Sequence, residues 1–392
     1  MGFFQEFSES VQDYVLDVIY ERKKGKMVPV VRFFMRVFSR VFGWLVNLRI
    51  GCYKKGIFRT KSLGCMIVSI GNITVGGTGK TPAVEMFAKA LQKQGRKVAV
   101  ISRGYRSSSR FRIKNLFKKW FFLSTKDEQV KVVSDGDKIY LNSSLAGDEP
   151  YMLATNLPGV VVVVDKDRVK AGEYAIQKYG IDTILLDDGY QYLSLNPRYD
   201  VVLIDTTNPF GNYRLLPNGI LREPLENLNR AQLFILTKTV EGKDLTPLKE
   251  KIRKFNYQAE FIECRHNCIE LVDVFDKTKK DLNFLRNKRI GLVSAIADPK
   301  GFEKAVKDLG AHIIMNNKFQ DHHRFSVKEI RNILKEGTRK NIAALITTEK
   351  DAVRFPRLSS TRGIPLFFIR VEMQIISGEQ EFNNCIAKLS FS

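Results

Sequence analysis

The sequence predicts an α/β protein: a doubly wound parallel sheet, a second, smaller α/β domain after it, and an N-terminal amphipathic helix ahead of both. Three observations predict this. An apolar strand beginning at Met66 runs into a glycine-rich loop and then a helical pattern. Strands and helical segments alternate from there to Asp188, as a parallel sheet with helices on both faces requires. A further strand–helix series opens at Arg289, after a stretch of different texture. At 392 residues there is chain enough for two cores. The expected division is a helical segment 1–58, a nucleotide-binding domain 59–258, a linker or strand pair 259–288, and a C-terminal domain 289–392.

The helical segment is dense in Phe, Val and Leu between Met27 and Tyr53, and Arg32, Arg36 and Arg40 recur every fourth residue. That spacing stacks the arginines along one helical face and leaves the others apolar. The arginines interrupt any run approaching the ~20 apolar residues that cross a bilayer. A helix in the headgroup plane fits better, rings in the acyl boundary and arginines on lipid phosphates; a core helix with a solvated stripe is the alternative. Glu6, Glu9 and Asp13 precede the apolar part, which does not suit a cleaved secretory signal. The expected compartment is therefore the cytosol or its membrane face.

The loop after the first strand reads Thr74-Val75-Gly76-Gly77-Thr78-Gly79-Lys80-Thr81. Its glycines let backbone N–H groups close around phosphate oxygens, and the next helix offers its positive end. Lys80 is placed to reach the terminal phosphates and the Thr81 hydroxyl to ligate Mg²⁺. Thr74 stands where the usual pattern has glycine, so a plain glycine turn competes. Strand, loop and helix in this order nevertheless predict a P-loop NTPase-like sheet.

The helix from Thr81 closes at Gly95, and Lys97–Ile101 is a short buried strand followed by Ser102-Arg103-Gly104-Tyr105. Residues 106–135, basic and irregular, read as a surface insertion, solvated or nucleic-acid-binding. Gly147-Asp148-Glu149-Pro150 opens a helix; Val160–Val164 and Asp182–Leu186 are strands with a helix between them. Thr81, Arg103, Asp165, Arg168, Asp187 and Asp188 all fall at carboxyl ends of strands, where such sheets bind ligands. Asp187 and Asp188 are placed to hold Mg²⁺ directly or through water beside Thr81, or to cap a turn. In the C-terminal domain, Asp321-His322-His323 suits acid/base chemistry or phosphate contact at a cleft, or a surface turn.

A formal charge of +22 points to an anionic partner: nucleic acid, anionic lipid or a phosphorylated substrate. Five scattered cysteines fit a reducing compartment. Cys264, His266 and Cys268 alternate on one strand face, too few soft ligands for a tetrahedral site.

Taken together, the segments GNITVGGTGKTP (71–82), SRGY (102–105), GDEP (147–150), DKDR (165–168), DDGYQY (187–192), LLPNGILREPL (215–225), DHHRF (321–325) and TTEKDAV (347–353) resemble the tetraacyldisaccharide 4′-kinase family. The apolar N-terminal helix resembles that family's membrane-associating helix. The resemblance implies transfer of the γ-phosphate of ATP to the 4′-hydroxyl of a tetraacylated glucosamine disaccharide 1-phosphate, late in lipid A biosynthesis. It implies ATP held by Thr74–Thr81, with Lys80 on the phosphates, and Mg²⁺ held by Thr81, Asp187 and Asp188. Asp148 and His322 would form the catalytic dyad, Arg168 would neutralise the transferring phosphate, and Arg103 and Glu223 would serve the substrate side. A monomer on the cytoplasmic face of the inner membrane, peripheral and without nucleic acid, completes the expectation. Where the family motif closes as DDGFQH, this chain has Tyr190 and Tyr192.

A membrane-associated P-loop NTPase switch would share the loop, the Asp pair and the basic helix without phosphorylating lipid. Leu236-Thr237-Lys238-Thr239 lacks the Asn and Asp of a guanine signature. A nucleic-acid-binding NTPase leaves the apolar run Phe33–Trp44 without a use.

Overall fold

The structure, a computed structural model, describes residues 27–104, 130–358, 361 and 363–390. The acidic residues Glu6, Glu9 and Asp13 and the basic segment 106–129 lie outside the described residues. Helix α1 (Val28–Lys54) leads into β1 (Met66–Gly71), which feeds the glycine loop and helix α2 (Lys80–Lys93). The sheet continues through β2 (Val98–Ser102), β3 (Lys131–Asp135), a short turn of helix α3 (Ser143–Ala146), α4 (Asp148–Asn156) and β4 (Val161–Val164). Helix α5 (Arg168–Tyr179), β5 (Thr183–Asp187), β6 (Tyr199–Asp205), β7 (Leu233–Thr237) and α6 (Thr246–Arg253) complete the first half.

Valine and isoleucine runs explain the centre of this half. All residues of β1, β2, β4 and β5 are buried, as strands covered on both faces must be. Parallel ladders join β6, β1, β5, β2 and β4, and β3 closes the edge antiparallel to β4. That edge strand corrects the reading of residues 106–135 as wholly a surface insertion. Lys131–Asp135 alternates weakly and is polar, because a strand at an edge faces solvent on one side.

The segment read as a linker or strand pair carries the sheet from one half to the other. Strand β8 (Glu260–Asp273) is 14 residues long. Its first residues pair parallel with β7, and the remainder pairs antiparallel with β13 (Leu366–Ser377). A short strand β9 (Lys279–Lys280) pairs with its end. Then β10 (Arg289–Ser294), α7 (Pro299–Asp308), β11 (His312–Lys318), α8 (Val327–Arg339), β12 (Ala344–Thr348) and α9 (Glu349–Ala352) form the second series, and α10 (Glu379–Ser390) follows β13. The strand order is β11-β10-β12-β13-β8-β7-β6-β1-β5-β2-β4-β3, one hydrogen-bonded sheet across both halves.

Helix α1 docks through a narrow stripe: Met35, Ser39, Gly43 and Ile50 are buried. Ser39 Oγ donates to the Leu215 carbonyl at 2.9 Å, and Tyr53 Oη shares a hydrogen bond with Ser194 Oγ at 2.8 Å. Phe33, Phe34, Val37, Phe38, Val41, Trp44, Leu45 and Leu48 are exposed on the other side. Among the described residues no helix is long and apolar enough to cross a membrane.

Candidate active site

The parallel register brings the first cluster together. Ile70, last but one in β1, pairs with Asp187 at the end of β5, so the glycine loop leaves the sheet beside the carboxylates. Gly76 and Gly79 have φ of 118° and 84°, a backbone region that glycine enters without strain. Asn72, fully buried, donates from Nδ2 to Thr78 Oγ1 at 2.9 Å and accepts from Lys80 Nζ at 3.5 Å, bracing the loop from within. Lys80 Nζ also lies 3.6 Å from Asp188 Oδ1. Thr74 is buried and bridges to Leu221, and Val75 N donates to the Ile220 carbonyl at 2.8 Å.

The two aspartates differ. Asp187 accepts from Ser102 Oγ at 3.0 Å; burial and the Asp188 charge push its carboxyl up to about 6, against Lys80 and the Ser102 hydrogen bond. For Asp188, burial works upward but Lys80 and Arg222 outweigh it, holding the carboxyl below its usual range. Arg222 Nη1 reaches both Asp188 oxygens at 2.8 and 2.9 Å. Two carboxylates and the Thr81 hydroxyl are the hard oxygen donors that Mg²⁺ takes. The upward push on Asp187 is that of a buried anion with too little positive charge nearby, so the donor set fits a divalent cation.

Arg168, at the start of α5, is buried, and its Nη2 donates to the Asp187 and Asp188 carbonyls at 2.9 and 3.2 Å. Its guanidinium lies 5.0 Å from the centre of the Tyr192 ring, and Tyr192 Oη accepts from Arg168 N at 3.0 Å. The tyrosine that departs from the family pattern therefore packs on the arginine. Tyr190 is buried, with its hydroxyl donating to the Asn227 carbonyl. Glu223, expected on the substrate side, is instead buried and ion-paired with Arg230 at 3.0 Å. Arg103 stands exposed just past β2.

The second cluster comes from the other half of the sheet. Ala295 follows β10, His322 follows β11, and Asp351 lies in α9 just after β12: three carboxyl ends side by side. They meet Asp148 in the first turn of α4, where a negative side chain complements the helix dipole. Arg354, its side chain fully buried, ties the cluster: Nε donates to Asp148 Oδ2 at 2.8 Å and Nη1 to Asp351 Oδ1 at 3.1 Å. Its Nη2 lies 3.0 Å from His322 Nδ1, while Asp148 Oδ2 lies 3.4 Å from the same nitrogen. The first contact asks for a bare Nδ1 and the second for a protonated one, so the pair stands between two tautomers. Burial raises the Asp148 carboxyl, but the His322 hydrogen bond and the Arg354 charge outweigh it and hold it ionised. His322 and Asp188 both sit at positive φ, 67° and 52°, strain of the kind that collects at functional sites.

The two clusters adjoin. Gly104, just past β2, lies within van der Waals reach of the Ala146 carbonyl, which a Cβ there would meet at 3.6 Å, two residues before Asp148. The Glu149 charge also acts on Asp187. Of the residues expected at the site, Lys80, Thr81, Arg168, Asp187 and Asp188 fall in the first cluster and Asp148 and His322 in the second. Arg222 and Arg354 were not singled out from the sequence. Arg222 lay inside the LREPL segment, and Arg354 one residue past TTEKDAV, where a charge among Val353 and Phe355 is the only signal. Among the described residues no three His, Cys, Asp or Glu side chains gather as metal ligands, so Cys264, His266 and Cys268 form no such site. A Cβ on Gly79 would meet His266 Nε2 at 2.7 Å, so that strand face packs on the glycine loop instead.

The fold is that of a P-loop kinase, with a glycine-rich loop, an acidic pair beside it and an Asp–His pair in the adjoining cluster. Residues 31–390 match the family Tetraacyldisaccharide-1-P 4'-kinase, and the chain belongs to that family. It is 32% identical over 361 residues to the Tetraacyldisaccharide 4'-kinase of Halothermothrix orenii, covering 89% of each chain. It is 36% identical over 343 residues to that of Anaeromyxobacter dehalogenans, covering 87% of this chain and 86% of the relative. A crystal structure of LpxK from Aquifex aeolicus in complex with ATP superposes with a TM-score of 0.70 at 26% identity, over 92% of this chain and 100% of that one.

Proposed function

We propose that this kinase transfers the γ-phosphate of ATP to the 4′-hydroxyl of a tetraacylated glucosamine disaccharide 1-phosphate, a late step of lipid A biosynthesis. The observation that carries this is the Asp148–His322 pair in the cluster adjoining the Asp187–Asp188 pair: a hydrolytic switch has no need of a base for an alcohol, and a lipid kinase does. The relatives' shared name supports the acceptor, and the ATP in the Aquifex aeolicus structure supports the donor.

Thr74–Thr81 holds the nucleotide phosphates, and Lys80 swings from Asp188 onto them. Asp187, Asp188 and Thr81 would hold Mg²⁺, which supplies neutralisation of phosphate charge. Arg168 acts through the carbonyls of the Asp pair, fixing the carboxylates at the phosphates. With Nδ1–H turned to Asp148, His322 Nε2 presents a lone pair to the acceptor hydroxyl. A bond forms from the acceptor oxygen to the γ-phosphorus as the bond to the β,γ-bridging oxygen breaks, and the hydroxyl proton passes to His322. Phosphoryl transfer asks mainly for such positioning and charge neutralisation. Helix α1, apolar where it is exposed, would hold the enzyme peripherally on the cytoplasmic face of an anionic inner membrane, where the acceptor lies.

The test is direct. With radiolabelled ATP, Mg²⁺ and the disaccharide 1-phosphate lipid in detergent micelles, label is expected on the lipid. Brisk hydrolysis of ATP with no labelled lipid, from a folded preparation, would establish the switch reading in its place.

A further inference from the structure

On the reading above, charge orients the nucleotide along the sheet. Lys80 Nζ lies 3.6 Å from Asp188 Oδ1, just past the end of β5, so the terminal phosphate that Lys80 meets lies towards β5. In the order β8-β7-β6-β1-β5, the remaining phosphates then run the other way, towards β6, β7 and β8.

The helix end beneath them is short of a donor. The first four N–H groups of a helix have no partner within it. In α2 those positions are Gly79, Lys80, Thr81 and Pro82, and proline carries no N–H. Ala83 N is already spent on the Gly79 carbonyl at 3.2 Å. A phosphate seated here therefore has the backbone donors of Gly79, Lys80 and Thr81, and a further donor has to come from a side chain.

His266 stands in the right place. Strand β8 pairs with β7 no further than Glu263, and His266 lies opposite Met373 of β13. Its Nε2 is the atom nearest to a Cβ built on Gly79, at 2.7 Å, with Met373 Cε at 3.4 Å. Gly79 has φ of 84°, so glycine both holds the turn and leaves room for the ring. The ring is exposed, and among the described residues neither of its nitrogens has a hydrogen-bond partner. Desolvation and the Lys238 charge outweigh Asp205 and hold its pKa below the ordinary histidine value. The neutral imidazole donates through one nitrogen and accepts through the other.

We propose that His266 is a nucleotide-binding residue: with its proton on Nε2, it donates to the α-phosphate from the side of the loop opposite Lys80. The inference rests on the ATP-kinase reading above and adds a contact from the strand that passes between the two halves.

Calorimetric titration of the whole protein with ATP and Mg²⁺, without lipid, tests it. His266→Phe keeps a ring against Gly79 and Met373 but has no N–H, whereas His266→Gln gives up the ring and keeps an N–H at similar reach. The Phe variant is expected to bind ATP about tenfold or more weakly, the scale of a lost hydrogen bond to a charged group, and the Gln variant to recover most of that loss. ATP with sulfur in place of one or the other non-bridging α-oxygen locates the contact. The wild type is expected to discriminate between the two diastereomers and H266F to discriminate less. A Phe variant that binds like the wild type would show that the ring only packs on the loop and would overturn the proposal. Diastereomer discrimination unchanged in H266F would place the contact away from the α-phosphate and overturn it as well, in both cases leaving the kinase reading intact. A wild type without affinity for ATP would instead remove the kinase reading, and this inference with it.

Discussion

Arg354 shows how one residue organises a site from behind. It holds Asp148 ionised and competes with it for His322 Nδ1. Replacing it with lysine keeps a charge but loses the planar fork that serves Asp148, Asp351 and His322 together. Arg354→Lys is expected to lower kcat by about tenfold to a hundredfold, the scale of a misplaced reacting group, with little change in KM for ATP. Arg354→Gln removes the charge that holds Asp148 low, so its carboxyl takes up a proton at higher pH. The sign follows: activity needs the carboxylate, so the acid limb of the kcat–pH profile moves upward. A limb that stays in place would mean that Arg354 does not govern Asp148. At Tyr192 the chain departs from its family's motif, yet the ring packs on Arg168 and the hydroxyl takes the Arg168 N–H, so the arginine is held by a phenol.

At the scale of elements, helix α1 has two faces with different tasks. Its docked face depends on small residues, Ser39 and Gly43, while its outer face carries nine exposed large apolar residues, Val30 among them. An exposed, contiguous apolar face of this kind marks an interaction surface. Replacing Phe33, Phe34, Phe38 and Trp44 with serine together removes the rings that would enter the acyl boundary and leaves the docked stripe untouched. In flotation with anionic vesicles, this variant is expected to stay in the aqueous fraction where the wild type floats. Flotation equal to wild type would place the membrane contact elsewhere. In the proposed reaction the N-terminal ends of α2 and α4 would carry the chemistry: one presents Lys80 and Thr81, the other Asp148.

Across the whole molecule, Arg370 joins these helices. Standing in β13, it pairs with Glu85 of α2 and with Glu349 of α9 at 2.7 Å, and Asn156 at the end of α4 donates to both glutamates. The knot therefore links the donor helix, the acceptor helix and the second half of the sheet. Burial works against the Arg370 charge, but the two glutamates outweigh it and hold it firmly protonated. Arg370→Met would leave both carboxylates buried without their cation, at a cost of about 3–5 kcal/mol. The denaturation midpoint is expected to fall accordingly, and Glu85→Gln added to that variant to restore part of the loss. An unchanged midpoint would show that the knot contributes nothing to joining the halves.

Much of this was legible beforehand because it is local. The glycine loop, the apolar β1, β4 and β5 and the Asp pair follow from runs of residues whose period and ending say what they are. Long-range pairing was not legible. Glu260–Asn287 read as a linker or strand pair because the first residues of β8 pair with β7 and the rest with β13, a partner about a hundred residues on, and no periodicity records a change of partner. The resemblance implied a substrate-side role for Glu223, whose side chain pairs with Arg230, while that of its neighbour Arg222 turns to Asp188.

The sequence by itself determined that this chain binds a nucleotide phosphate in a parallel sheet, and its motifs in order determined the family. These depend on residues adjacent in the chain, whose backbone needs are met within a few positions. Only the tertiary structure decided that Arg354 stands between Asp148 and His322 and that Arg370 fastens the two halves. Those are meetings of side chains far apart in sequence, and burial and charge select them only after the sheet has closed.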